Sequence, residues 1–268
     1  MTSENIFLVY MAYEFDGKKY EQASSHQKEW GLKLIEELEL KGNERVLDLG
    51  CGDGTLTVQI AGMLTDGNVV GIDASKGMID VALVKAKDNL RFMLADINDL
   101  DFTDEFDIVF SNATLHWVKD HRKLLQNVSH ALYPGGRVRF NFAGEGNCLS
   151  FLKVIREAMA DERFGEYFAD FDWPWYTPSV DEYAALCESS GLRNVKVWDE
   201  NADCFFPDKE AMIRWVDQPS LVPLLSHLPE AMRVSFRDYV LQRMIEETLQ
   251  GDGTCFETFR RINLSAEK

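Results

Sequence analysis

The sequence predicts an α/β fold built on a doubly wound sheet. Three observations lead there. Short apolar runs alternate with amphipathic helical repeats from about residue 45 to residue 142, the first run ends in a glycine cluster, and the runs suit strands buried under helices on both faces. The first element is a helix: from Gln22 to Leu38, Trp30, Leu34 and Leu38, joined by Gly31 and Ile35, recur at helical spacing. Lys28, Glu29, Lys33, Glu36 and Glu37 fall on its other faces, and Lys41-Gly42-Asn43 ends it. Arg45-Val46-Leu47-Asp48-Leu49 is then the first strand, Leu56 to Leu64 a helix, Asp66-Gly67-Asn68 a turn, and Val69 to Asp73 the second strand. Further strands are expected at Leu90 to Asp96, Phe106 to Ser111 and Gly136 to Phe142, with helices at Lys76 to Lys87 and Lys119 to Leu132 between them.

After Gly144 the alternation loosens. Leu149 to Met159 and Ser179 to Ser189 read as helices on either side of an aromatic stretch, Phe168 to Tyr176. Asn194 to Phe206 is extended, and Asp208 to Gln250 reads as two or three short helices punctuated by Pro219, Pro223 and Pro229. A last strand, at residues 254 to 266, is expected to return antiparallel beside Asn194 to Phe206 and complete a seven-stranded mixed sheet. With no internal repeat and no low-complexity linker, residues 1–268 are expected to form one domain. Its core would span about 20 to 145, with helical cap excursions at about 145 to 190 and 207 to 250.

Composition narrows the function. Hydrophobic residues at 46% and charged residues at 27% describe a globular chain and exclude a disordered or fibrous one. Lys and Arg number 28 against 45 Asp and Glu, a net charge of −17 that repels polyanions and argues against nucleic acid as a partner. Five cysteines without a CxxC pair suit a reducing cytoplasm better than a disulfide framework. The early apolar run Ile6 to Tyr13 is short and lacks a basic flank, so neither a signal peptide nor a membrane span is expected. A cytoplasmic protein with a small-molecule partner is the expectation; oligomeric state is not legible.

The strongest local signal is Asp48-Leu49-Gly50-Cys51-Gly52-Asp53-Gly54, between the first strand and the helix behind it. Glycines there let the backbone approach a ligand, and the helix N-terminus offers unpaired N–H groups to an anionic portion of it. Asp73 ends the second strand about 20 residues on, where a carboxylate takes both hydroxyls of a ribose, and Asp96 ends the third. A nucleotide-like ligand in one crevice is implied. A dinucleotide-binding oxidoreductase is the rival reading, but the GxGxxG fingerprint would need glycine where Thr55 stands.

The segment Val46 to Thr57 instead resembles motif I of class I S-adenosylmethionine-dependent methyltransferases, and Gly71-Ile-Asp73-Ala-Ser-Lys-Gly-Met78 is similar to their acidic second motif. The likeness continues through Ala95-Asp96-Ile97, Phe106 to Asn112 and Leu132-Tyr-Pro-Gly-Gly136. It implies a Rossmann-like sheet and S-adenosyl-L-methionine as cofactor. It further implies that the backbone at Gly50, Cys51 and Gly52 lies along the methionine portion, that Asp48 orients the amino group, and that Asp73 binds the ribose. Asp96 and the Ile97 N–H would meet the adenine edge, Met78 its face, and the Asn112 carbonyl the ammonium, with Tyr20 and Ala74 completing the cofactor contacts.

Two stretches, Tyr20 to Trp30 and Ala113-Thr-Leu-His116-Trp117-Val118, resemble small-acid O-methyltransferases. The second is similar to a segment of juvenile hormone acid and trans-aconitate methyltransferases, and Asp252 to Arg261 resembles the trans-aconitate group. The resemblance implies that Gln27 and Trp117 hold a substrate carboxylate, an acceptor that needs no general base near neutral pH. His116 reads either as a base for a phenol or amine or as a positioning residue; with no second ligand at metal spacing, no metal is expected. Trp117 could instead be packing, and Trp173, Trp175 and Tyr176 either cap the acceptor or fill a core. Leu221-Val222-Pro223 stands where trans-aconitate enzymes tend to carry an LRP arginine, so an apolar monocarboxylic acid is preferred over a tricarboxylate, with an aromatic hydroxyl or amine next. A non-catalytic cofactor-binding regulator is the remaining alternative.

Overall fold

The computed structural model describes residues 13–17, 19 and 25–268. Helix α1 (Ser25–Glu36) precedes strand β1 (Arg45–Leu49), followed by α2 (Thr55–Met63), β2 (Asn68–Asp73), α3 (Lys76–Ala82) and β3 (Leu90–Leu94). Next come β4 (Phe106–Asn112), α4 (His121–Ala131) and β5 (Leu132–Ala143). The strands are short because each is fully covered. Leu47 and Leu49 face one buried layer with α4, and Val46 faces the other with α1 and α2, so apolar residues are needed on both faces.

The second half supplies α5 (Leu149–Ala160), α6 (Val180–Glu188), β6 (Arg193–Asn201), β7 (Cys204–Phe206), α7 (Lys209–Trp215), α8 (Val222–His227), α9 (Glu230–Thr248), β8 (Cys255–Glu257) and β9 (Arg260–Glu267). The main sheet has seven strands in the order β3-β2-β1-β4-β5-β9-β6. Strands β1 to β5 pair in parallel, and β9 lies antiparallel between β5 and β6. This is the expected Rossmann-like mixed sheet. Its order reverses between β1 and β4, which opens a crevice beyond their carboxyl ends.

Several boundaries differ from the sequence reading for physical reasons. The final strand is divided: β8 pairs with β7 in a separate two-stranded ribbon, and only β9 enters the sheet. The break falls at Phe259, which turns its ring into the cap core while its N–H donates to Asp203 Oδ1 at 2.9 Å. The partner run, expected to be continuous from Asn194 to Phe206, breaks at the same level. The third helix after Asp208 is not short: α9 runs 19 residues because no proline follows Pro229, and Phe236, Val240, Met244 and Thr248 form one buried stripe along it. Strand β5 begins at Leu132 rather than Gly136, with an irregular register that accommodates Tyr133 to Gly136. The cap helices α5, α7, α8 and α9 share their own apolar core over the sheet's carboxyl rim. Among the described residues no helix is long and apolar enough to cross a membrane.

Candidate active site

At the end of β1 the chain turns through Gly50 at φ 70° and Gly54 at φ 78°, a left-handed backbone that only glycine adopts without strain. Space demands glycine too: a Cβ on Gly50 would lie 2.0 Å from the Thr114 methyl carbon, and one on Gly54 2.6 Å from the Phe92 ring. Thr114 Oγ1 donates to the Gly50 carbonyl oxygen at 3.0 Å, binding this loop to the one after β4. The Cys51 N–H donates to the Ile72 carbonyl at 2.9 Å, and the Gly52 N–H to Asp73 Oδ2 at 3.0 Å, so the glycine loop is fastened to the end of β2.

A buried carboxylate and a half-buried one face this loop. Asp48, on β1, is 2% exposed and accepts a hydrogen bond from Thr57 Oγ1 at 2.7 Å. Burial pushes it up to about 7, with the Thr57 bond opposing and the charge of Asp73 adding to the rise. Asp73 accepts from the Gly52 and Ser75 N–H groups, yet burial still pushes it up to about 6. Beyond β3, Asp96 caps a short turn by accepting from the Asn98 N–H at 2.8 Å, and Ile97 and Met78 are buried beside it.

Asn112 closes β4, and its Nδ2 donates to the Gln27 carbonyl oxygen at 2.9 Å, which draws α1 over the crevice. Gln27 Oε1, Asn112 Oδ1 and His116 Nδ1 are all buried with no hydrogen-bond partner among the described residues. His116 and Trp117 sit in a single 3-10 turn, Leu115–Trp117. Burial, with the charges of Arg261 and His121 adding, pushes His116 down to about 3, so it is neutral at physiological pH. The Trp117 ring lies among Tyr13, Phe15 and Trp175, with ring centres 5.8, 5.5 and 5.5 Å away.

A cavity of about 1030 Å³ joins these groups. It is lined by Gln27, Asp48, Gly50, Cys51, Gly52 and Asp73, and equally by Ala74, Met78, Asp96, Ile97, Asn112, His116 and Trp117. Tyr20, the remaining expected residue, lies outside the described residues. Trp173 and Trp175 line the same cavity, whereas Tyr176 packs against the sheet layer. Sequence reading missed Arg261, which lines the cavity although it is nearly fully buried. Arg261 and Asn263 alternate with apolar Ile262 and Leu264, a pattern that reads as a solvent face; in the fold that face lies beneath Trp30 of α1. Val222, which stands at the position discussed for an LRP arginine, is half-buried at the start of α8.

Known proteins resemble this chain in the same regions. A family described as "Methyltransferase domain" matches residues 40–161. The trans-aconitate 2-methyltransferase of Deinococcus radiodurans is 32% identical over 201 residues, which cover 72% of this chain and 76% of that protein. The chain belongs to the class I S-adenosylmethionine-dependent methyltransferases of the trans-aconitate methyltransferase group. A second member of the group, from Rhodococcus jostii, is 27% identical to this methyltransferase over 94% of its chain and 99% of the relative. Among solved structures, Haemonchus contortus phosphoethanolamine N-methyltransferase 2 in complex with S-adenosyl-L-methionine shares the fold at TM-score 0.59 and 20% identity, over 94% of this chain and 56% of that one. The YcgJ protein of Bacillus subtilis does so at TM-score 0.62 and 18% identity, over 90% and 98%.

The methyltransferase uses S-adenosylmethionine, and its residues fit that cofactor. A glycine-lined cradle admits a close ligand backbone, and two carboxylates whose proton affinity is raised by burial suit the cation and hydroxyl donors that an ammonium and a ribose bring.

Proposed function

We propose that this methyltransferase esterifies a carboxylate of a small organic acid. The observation that supports it best is the state of His116. With a pKa of about 3, this neutral imidazole is far too weak a base to deprotonate a phenol or an alkylammonium at neutral pH. The site therefore favours an acceptor that is a nucleophile on arrival, and a carboxylate, with an ordinary pKa near 4, is one.

In this reading Asp48 takes the cofactor's ammonium, Asp73 its ribose hydroxyls, and Asp96 with the Ile97 N–H its adenine edge. The backbone of Gly50, Cys51 and Gly52 lies along the methionine portion, Met78 and Ala74 flank the nucleoside, and the Asn112 carbonyl meets the ammonium. Bound S-adenosylmethionine supplies an electrophilic methyl on a positively charged sulfur; a carboxylate oxygen takes it as the carbon–sulfur bond breaks and sulfur keeps the electron pair, releasing ester and S-adenosylhomocysteine. The chain's own contribution is aim and dryness. The Gln27 amide and the Trp117 indole are neutral donors that orient the carboxylate without quenching its charge, as a guanidinium on the same oxygen would. The ring cluster of Trp117, Trp175 and Phe151 excludes water from the acceptor end, where charge is neutralised as the reaction proceeds. A cytoplasmic setting agrees with the five cysteines, all of which are free thiols.

The test is a steady-state screen of organic acids, phenols and amines, with S-adenosylhomocysteine release as the signal and mass spectrometry of the product. An acid should give a methyl ester. Gln27→Ala and Trp117→Phe should each lower kcat/KM by roughly 10- to 100-fold, the effect of lost positioning, with S-adenosylhomocysteine affinity within about twofold of wild type. Methylation confined to phenols or amines would overturn the reading, as would cofactor affinity falling in step with turnover.

A further inference from the structure

Helix α1 brings Gln27 and Trp30 to the cavity wall, and it is seated directly on the cofactor side of the fold. A Cβ on Gly31 would lie 2.1 Å from a Leu56 methyl carbon and 3.0 Å from Asn112 Nδ2, so the helix rests on the first turn of α2 and on the end of β4. An ion pair runs from the same helix to the glycine loop. Lys28, the residue after Gln27, places its Nζ 3.1 Å from Asp53 Oδ2. Asp53 follows Gly52 in the loop and is 4% exposed. It is fixed at its own end, since Oδ1 accepts from the Thr55 N–H at 3.0 Å and Lys85 Nζ donates to the Asp53 carbonyl oxygen at 2.7 Å. Burial pushes this carboxyl up, but the Thr55 N–H and the charges of Lys28 and Lys85 outweigh it and hold the group below the ordinary carboxylate range. Asp53 is therefore ionised at neutral pH.

Separating a pair of this kind leaves a buried carboxylate short of its counter-charge, so the loop and the helix tend to move together. A cofactor lying along Gly50, Cys51 and Gly52 restrains the loop, and that restraint reaches Asp53 one peptide bond on. Order gained by one ligand is then already present for the next, which is cooperativity without a change of shape. We propose that Asp53 and Lys28 are positioning residues that couple occupancy of the cofactor loop to the placement of α1, and so of Gln27 at the acceptor end. The part given to Gln27 rests on the reading above, whereas the coupling rests on the cofactor loop alone. By linkage it is reciprocal: an acceptor seated against α1 tightens the cofactor site by the factor by which the cofactor tightens the acceptor's.

Hydrogen exchange read by mass spectrometry tests this on the whole chain, with S-adenosylhomocysteine as the probe and no acceptor present. In wild type the ligand should slow exchange of residues 51–58 and of residues 29–36 together, each by at least about fivefold. In Lys28→Met and in Asp53→Asn the loop should still be protected, which shows that the variants are folded, while protection of α1 falls below about twofold. Lys28→Arg keeps the charge and should behave as wild type. With an acceptor that wild type turns over, Lys28→Met should lower kcat/KM roughly tenfold and Lys28→Arg should restore most of it. Protection of α1 that persists in Lys28→Met, or a wild type in which the ligand protects the loop and not α1, would overturn the coupling and leave carboxyl methylation in place. If wild type methylates phenols or amines alone, the carboxyl reading falls, and the exchange data still decide the coupling.

Discussion

Asp48 and Asp73 show, at the level of single residues, how burial sets the charge state of this site. Both carboxylates are held above their ordinary range mainly by burial, Asp48 at about 7 and Asp73 at about 6. In the unfolded chain each would ionise near 4, so between about 4 and 7 the folded state holds protons that the unfolded state has released. These groups therefore make the cofactor-free protein less stable as pH rises through that window, and the penalty is complete above about 7. Asp48→Asn removes one ionisation and still accepts from Thr57. At pH 8 its cofactor-free melting temperature should exceed that of wild type, and at pH 5 the gap should narrow, while cofactor affinity falls at least about tenfold at both. Calorimetric melts and S-adenosylhomocysteine titrations check this; a variant less stable than wild type at pH 8 would contradict the burial account.

The turn after β4 places His116 and Trp117, and one buried histidine holds that turn as an element. His121, on α4, donates from Nε2 to the Leu115 carbonyl oxygen at 3.0 Å and accepts at Nδ1 from the Tyr183 hydroxyl at 3.1 Å. Burial pushes it down to about 4, so it stays neutral and keeps this tautomer across the physiological range. The sign is opposite to that of Asp48: the unfolded chain binds a proton near 6.5 that the folded state refuses, so stability is lost as pH falls from about 6.5 to 4. His121→Ala should cost about 2 kcal/mol, leaving the Leu115 carbonyl and the Tyr183 hydroxyl without their partner, and should flatten that acid limb of the melting profile. Turnover should fall more than cofactor affinity, because the turn carries the residues proposed to hold the acceptor and touches the glycine loop through Thr114.

Across the whole molecule the charge of −17 sets a field that acts oppositely on an anionic acceptor and a cationic cofactor. At low ionic strength the acidic surface repels an anionic acceptor at long range and attracts the cationic cofactor, whereas contacts inside the cavity are little screened. Raising salt from about 0.01 M to 0.15 M, which shortens the screening length from roughly 30 Å to 8 Å, should lower KM for the acid and raise that for S-adenosylmethionine. Initial rates at several salt concentrations measure both. Parallel movement of the two constants would point to a general effect on the protein.

The central sheet was legible because its strands are buried on both faces, so Arg45–Leu49 could be read to the residue. The glycine loop and Asp73 were legible because a close backbone approach admits few residue types. The divided last strand was not, since Phe259 breaks the pairing through contacts with Asp203 and the cap core, far away in sequence. Arg261 was hidden for a related reason. Local alternation fixes only that a residue lies on one face of a strand, and what covers that face is chosen by long-range packing. The order of residues thus determined the sheet, the cofactor crevice and the carboxylates at its strand ends, since these depend on local backbone and burial patterns. The tertiary structure alone decided how basic His116 is and that Arg261 lies on the cavity wall, because proton affinity and burial are set by neighbours that only folding brings together.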